Sequence, residues 1–295
     1  MPTLRDALTD ARSQLAHLPT PRLDAEWLLC HLLDVPQSYL IAHSADTLPH
    51  NQRAQFDQLI ARRVSGEPVA YIIGEVGFYG RTFAVSSVVL IPRPETERLI
   101  EAALSLLNRW QQPVIVDIGT GSGAIAVTLA AECPQAAVYA TDISPEALEI
   151  ARQNAARHQV HVAYSQGDLA EPLLSMLPKQ VNLLVANLPY IASDEVPTLD
   201  VSQHEPTLAL DGGPDGLDLV RRLLGQVSQL CTDDAVILLE IGADQGQAII
   251  DLAKSILGEV SVHIERDYAG LDRLAVIERL FYTAGNVSNP RRNLP

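Results

Sequence analysis

The run Val114-Ile115-Val116-Asp117-Ile118-Gly119-Thr120-Gly121-Ser122-Gly123 decides the fold. Valine and isoleucine fill it up to a carboxylate and a glycine turn, and a helical pattern follows over 123–132. A buried strand that turns on glycines into a helix lets the backbone approach a ligand closely. It also offers that ligand the free N–H groups of the helix N-terminus. Asp142 ends the next apolar run, at the spacing of about 20 residues expected of a carboxylate that holds ribose hydroxyls. Gly119, Gly121 and Ala124 satisfy a relaxed dinucleotide fingerprint, so the turn alone says "nucleoside" without saying which. The same glycines could also serve only to pack helix on strand.

Outward from this run, strands and helices alternate. Apolar runs at 114–118, 138–141, 181–186 and 235–241 are interleaved with helical patterns at 123–132, 145–157, 216–230 and 244–257. Such alternation predicts an α/β fold with a mostly parallel sheet covered on both faces. The connection between 260–266 and 273–279 is too short for a parallel crossover and predicts an antiparallel pair. Towards the N-terminus, residues 1–73 read as a helical domain. Its apolar faces are Leu4, Ala7, Leu8, Ala11 and Leu15, then Ala25, Leu28, Leu29, Leu32 and Leu33, then Phe56, Leu59 and Ile60 within 52–64. Prolines at 19–21, 36 and 49 mark the breaks. Residues 74–92 read as a β-hairpin linker, with Gly80-Arg81 as its turn. The catalytic domain is expected over 93–282, opening with a helix at 95–109. A loose polar tail is expected over 283–295.

The chain of 295 residues is 47% hydrophobic, enough for about two domains with real cores. Its formal charge of −15 argues against direct nucleic-acid binding and against anionic membranes. Cys30, Cys133 and Cys231 are scattered and odd in number, and read as reduced, mostly buried thiols of a cytoplasmic protein. Neither a signal peptide nor a membrane-spanning run is expected.

The chemistry lies at Asn187-Leu188-Pro189-Tyr190, directly after the apolar run 181–186. Ligands of open α/β sheets collect beyond the carboxyl ends of strands, so this tetrapeptide should face the same crevice as the glycine turn. An amide nitrogen is a poor nucleophile whose two N–H donors need acceptors in a dry site. The Asn187 side-chain oxygen and the Leu188 carbonyl could supply them, the latter restrained because it precedes proline. Tyr190 could stack on the planar amide. Read in isolation, the tetrapeptide is equally an ordinary Asx turn. Asp168, in Gln166-Gly167-Asp168-Leu169, could accept a hydrogen bond from an adenine amino group while Leu169 covers the ring; it reads equally as a cap of the next turn. The loop 191–216 is long enough to suggest a substrate-facing wall, or else a surface excursion. His158 and His161 suggest no metal site and are expected to be solvated.

On these residues the chain resembles the release-factor glutamine N5-methyltransferases, PrmC or HemK. The likeness is carried by Gly66-Glu67-Pro68 through Gly74, Ile91 to Glu97, Asp117 to Gly123, Asn187 to Tyr190, Glu205-Pro206 and Asp211 to Leu217. Ile91 to Glu97 is the most specific of these. The resemblance implies a class I S-adenosylmethionine-dependent methyltransferase: a Rossmann-like, mostly parallel seven-stranded sheet with one antiparallel strand, plus a small N-terminal helical domain. It implies S-adenosyl-L-methionine bound by Gly119, Thr120, Gly121, Ser122 and Gly123, with Asp142 on the ribose and Leu169 by the adenine. It implies Asn187 touching cofactor and substrate, and Asn187 to Tyr190 gripping the glutamine of a Gly-Gly-Gln loop. The protein partner would be a class I peptide-chain release factor, docked with help from the helical domain. The family tetrapeptide is usually Asn-Pro-Pro-Tyr, and here Leu188 replaces the first proline. Three other readings stay open: a DNA or RNA adenine N6-methyltransferase, an NAD(P)-linked oxidoreductase, and a catalytically dead adaptor.

Overall fold

The computed structural model describes residues 2–267 and 269–279, so the tail expected over 283–295 lies outside the described residues. The N-terminal domain is built from α1 (Leu4–Gln14), α2 (Pro21–Leu33), α3 (Gln37–Ala42), α4 (His50–Val64) and α5 (Val69–Ile73). The three predicted apolar faces correspond to α1, α2 and α4. The other two helices are too short to show a period. Thr3 and Asp6 cap α1 reciprocally, each side chain bonding the other's backbone N–H. Proline opens α2, and Asp34 ends it in the left-handed region. Leu4, Ala7, Leu15, Leu28, Leu29, Phe56 and Ile60 meet in one core. Arg63 pairs with buried Asp24 at 2.7 Å and also donates to the carbonyls of Gly66 and Glu67, which pins the turn into α5.

Strands β1 (Glu75–Phe78) and β2 (Arg81–Ala84) form the hairpin. Phe78 faces Arg81, so the turn is Tyr79-Gly80 rather than the expected Gly80-Arg81. Both turn residues have positive φ, 46° and 68°, the type I′ geometry that matches strand twist. The hairpin packs directly on the catalytic domain. Phe78 and Phe83 are buried in its core, and burying one such ring stabilises by about 1.5–3 kcal/mol. The buried Asn154 side chain bonds both the N–H and the carbonyl of Ala84. His158, expected in solvent, instead places Nε2 2.8 Å from the Thr82 carbonyl.

The catalytic domain follows as α6 (Glu97–Leu106), β3 (Val114–Ile118), α7 (Ala124–Glu132), β4 (Ala137–Asp142), α8 (Pro145–Arg157), β5 (Ala163–Gln166), β6 (Val181–Ala186), α9 (Asp218–Leu230), β7 (Cys231–Glu240), α10 (Gly246–Leu257), β8 (Val260–Arg266) and β9 (Asp272–Arg279). The helix expected at 95–109 is α6 flanked by 3-10 turns at Pro94–Thr96 and Leu107–Arg109. Spatial order in the sheet is β5-β4-β3-β6-β7-β9-β8. β5, β4, β3, β6 and β7 pair in parallel, while β9 is antiparallel to both of its neighbours. This is the seven-stranded arrangement with one antiparallel strand that the resemblance implies. β7 starts at Cys231, four residues before the apolar run, because Thr232, Asp233 and Asp234 are polar and wholly or partly exposed and so hide its first part from an apolar pattern. Side chains of α9 and α10 fill one face of the sheet; those of α6, α7 and α8 fill the other. From β3 the chain steps outward to β4 and β5, then crosses back to β6 on the other side of β3, so a crevice opens at the carboxyl ends of these strands.

Candidate active site

A cavity of about 530 Å³ occupies that crevice. Gly119 to Ser122 of the glycine turn, Asp142 at the end of β4, Asp168 and Leu169 after β5, and Asn187 to Pro189 after β6 all line it, while Gly123 packs instead against Ala151 of α8. The elements that deliver them are far apart in sequence and meet only because the parallel strands end together.

The glycine turn is held from below. Gly119 and Thr120 both donate to the Thr141 carbonyl at 2.9 Å, which ties the turn to β4. Gly121 has φ +55°, a left-handed conformation that disfavours side chains, and a Cβ there would meet nothing within 4 Å. Asp142 accepts the Gly121 N–H on Oδ2 at 2.8 Å and the Ser144 N–H on Oδ1 at 2.9 Å. Each oxygen keeps a lone pair for a ligand hydroxyl. Burial raises the Asp142 pKa, while the Ser144 and Gly121 N–H groups oppose that shift. Asp117 lies beneath, fully buried, with Oδ2 accepting from Thr120 Oγ1 at 2.6 Å and from Ala126 N–H at 3.2 Å. Burial pushes Asp117 up to about 7.

Leu169 is buried at φ 49° with its carbonyl anchored by the Thr141 hydroxyl at 2.8 Å. Asp168 reaches the cavity wall, but its carboxylate is ion-paired with Arg222 of α9. An amino group arriving there would share Asp168 with that guanidinium.

At the tetrapeptide, Asn187 Nδ2 donates to Thr96 Oγ1 at 3.1 Å. Among the described residues nothing bonds its Oδ1, and nothing donates to the Leu188 carbonyl. Both residues line the cavity, and neither acceptor is engaged there. The Leu188 side chain is buried and packs over the turn, so close that a Cβ on Gly119 would fall 3.0 Å from its Cδ2. Tyr190 does not line the cavity. Its carbonyl accepts from Gln245 Nε2 at 2.9 Å, and its phenol is raised by burial and by nearby Glu240.

The loop 191–216 is ordered by three 3-10 turns and by a bridge between Ile191 and Asp211. Pro206, Leu208 and Ala209 form part of the cavity wall. Buried Glu205 pairs with Arg93, which joins the loop to the segment before α6. Gly212 passes so near the tetrapeptide that a Cβ would stand 2.6 Å from the Pro189 carbonyl oxygen. Arg93, Thr96 and Glu205 fall within segments that carry the family likeness, but the sequence assigned them no place at the site, and Glu240 went unnoticed. For Glu240 the available signal was a lone charge inside the apolar run 235–241. Among the described residues no group of His, Cys, Asp and Glu could hold a metal ion. None of the described helices is long and apolar enough to cross a membrane.

Two family models match the chain: the PrmC N-terminal domain over residues 6–74 and the methyltransferase small domain over residues 98–204. A release factor glutamine methyltransferase of Moorella thermoacetica is 43% identical, over 92% of this chain and 96% of the relative. That of Koribacter versatilis is 41% identical, over 93% and 98%. Among solved structures, the hMettl16 catalytic domain in complex with MAT2A 3'UTR hairpin 1 superposes with a TM-score of 0.56 at 13% identity, over 83% of this chain and 85% of that one. That likeness is one of fold.

Proposed function

The chain belongs to the release factor glutamine methyltransferases, and from that premise we propose that it methylates N5 of the glutamine in a release factor's Gly-Gly-Gln loop, using S-adenosyl-L-methionine. The observation that carries this reading is the pair of unbonded acceptors, Asn187 Oδ1 and the Leu188 carbonyl, beside the crevice built by the glycine turn and Asp142.

The residues present fit the cofactor. Asp142 is shaped for two ribose hydroxyls, Gly121 leaves its surface bare, and buried Leu169 offers an apolar face for adenine. When bound, S-adenosylmethionine supplies an electrophilic methyl carried on a sulfonium. The protein's own contribution is positioning. Asn187 and Leu188 take the two N–H hydrogens of the substrate amide, which aims its lone pair and favours a pyramidal nitrogen. Holding reactants in such an attack geometry can be worth about 7–11 kcal/mol. No strong base is required, because the methylated nitrogen is acidic. Leu188 in place of the family's usual proline is neutral in this scheme: its carbonyl is the working group, and Pro189 still restrains the backbone. Pro206, Leu208 and Ala209 would wall the incoming peptide, and the helical domain over 1–73 would help to dock the rest of the release factor.

A nucleic-acid adenine methyltransferase can use the same tetrapeptide, but a formal charge of −15 opposes a phosphate backbone. An NAD(P) oxidoreductase leaves the two open acceptors without a role. The test is mass spectrometry of a purified release factor after incubation with this protein and S-adenosylmethionine. One added methyl on the Gly-Gly-Gln peptide is expected; an unmodified peptide, with cofactor bound normally, would favour a dead adaptor.

A further inference from the structure

β7 ends on a charge. Val236 to Leu239 are buried and apolar, and then Glu240 is buried too, with 5% of its surface exposed. Its Oε2 has no hydrogen-bond partner among the described residues. Several groups face it. Asn187 follows Ala186, which pairs with Leu239 across β6 and β7, so it lies beside Glu240; with Thr96 and with Arg273 on β9 it favours the charged form. Glu95, before α6, opposes it as a like charge, and the Tyr190 phenol lies within reach of its field. Burial is the largest influence and pushes the carboxyl up to about 7.

An amide side chain can face either way, and its hydrogen bonds choose. A carboxylate only accepts. A charged Glu240 would draw the Thr96 hydroxyl hydrogen, leaving Thr96 Oγ1 to accept from Asn187 Nδ2, and that last bond is the one observed. The donor order in that state runs from Asn187 to Thr96 to Glu240, and Asn187 Oδ1 stays untethered for the substrate. A protonated Glu240 is itself a donor, and the chain can run backwards. Thr96 would then donate to Asn187 Oδ1, and the flipped amide would show its NH2 to the substrate's NH2. Two donors cannot pair.

We propose that Glu240 is a positioning residue that acts through Thr96 to fix which way the Asn187 amide points, so that methyl transfer requires Glu240 to be ionised. This rests on the amide-methylation reading above.

The test measures kcat, KM for the release factor and Kd for S-adenosylmethionine from about pH 6 to about pH 9. Wild-type kcat should climb to a plateau along one ionisation near neutrality. Glu240→Gln, similar in shape but able to donate, should lower plateau kcat by at least about tenfold and abolish the climb. It should leave both binding constants within about threefold. Thr96→Val should behave like Glu240→Gln, and Thr96→Ser should restore most of the rate. The proposal is overturned if Glu240→Gln keeps the wild-type plateau, if its pH dependence survives, or if cofactor affinity falls as far as turnover. Should Glu240→Gln fail to fold, the Thr96 pair decides, and a fully active Thr96→Val overturns the idea. A wild-type protein that methylates no release factor would refute the function instead.

Discussion

Replacing Gly212 with alanine tests whether the long loop sets the position of the tetrapeptide. The new Cβ would lie 2.6 Å from the Pro189 carbonyl oxygen and 2.7 Å from that of Gly216. Carbon–oxygen contacts normally begin at about 3.3 Å, so the overlap is roughly 0.6–0.7 Å against two backbone atoms at once. Neither obstacle is a side chain that can swing away. Gly212 is also clamped, donating to the Ile191 carbonyl at 2.8 Å and accepting from the Asp218 N–H at 2.9 Å. The strain should cost about 1–3 kcal/mol, as overpacking does. Part of it must be relieved by moving Pro189, and with it the Leu188 carbonyl. A displacement of about 1 Å in a positioning group can cost about a hundredfold in rate. Gly212→Ala should therefore lower kcat for release-factor methylation by about 10–100-fold. Gly212 is not part of the cavity wall, so Kd for S-adenosylmethionine, measured by calorimetry, should stay within about threefold. A folded variant with kcat within about twofold of wild type would refute the idea that the loop fixes the tetrapeptide.

Three further outcomes are expected. Asn187→Ala should lower turnover by at least about tenfold, or about 1.4 kcal/mol in the barrier, with a much smaller change in cofactor affinity; steady-state kinetics showing unchanged kcat would remove Asn187 from its role. Asp142→Ala loses the acceptor for Gly121 and Ser144 as well as the ribose contact, each worth about 1.5–3 kcal/mol, so cofactor binding should weaken at least about tenfold; an unaltered dissociation constant would contradict the placement. Asp117 titrates near 7 in the fold and near about 3.9 when unfolded, so its charge increasingly destabilises the fold as pH rises between those values. Asp117→Asn stays neutral, and its urea midpoint relative to wild type should improve from about pH 5 to about pH 8; a difference that does not vary with pH would be the contrary result.

The sequence displayed what depends on period and on neighbours in the chain. The run 114–123, the alternation after it and the short connection before β9 were enough to derive a parallel sheet ending in an antiparallel pair, and the helical faces around Leu28 and Phe56 were equally plain. What escaped depends on contacts between distant residues. Asp168 reads as a free carboxylate until Arg222 arrives from 54 positions away. Thr96, 91 positions from Asn187, looks like a residue of the α6 approach. The hairpin turn was displaced by one residue because Tyr79 adopts a left-handed conformation that tyrosine usually avoids. His158 looked solvated because the carbonyl it bonds belongs to β2. The Asn187 and Leu188 acceptors could be proposed from the tetrapeptide, but not which atom would be tethered and which left open.

The order of strands at one margin of the sheet has a consequence for biosynthesis. β9 is translated after β8 yet lies between β8 and β7, hydrogen-bonded to both. While the ribosome is still making residues 272–279, β7 carries a bare row of N–H and C=O groups along a strand of buried Val, Ile and Leu, and β8 has no ladder at all. Such an edge invites pairing with another chain. Nascent chains, and any product that terminates early, must therefore be protected at this margin until β9 slides in and seals it.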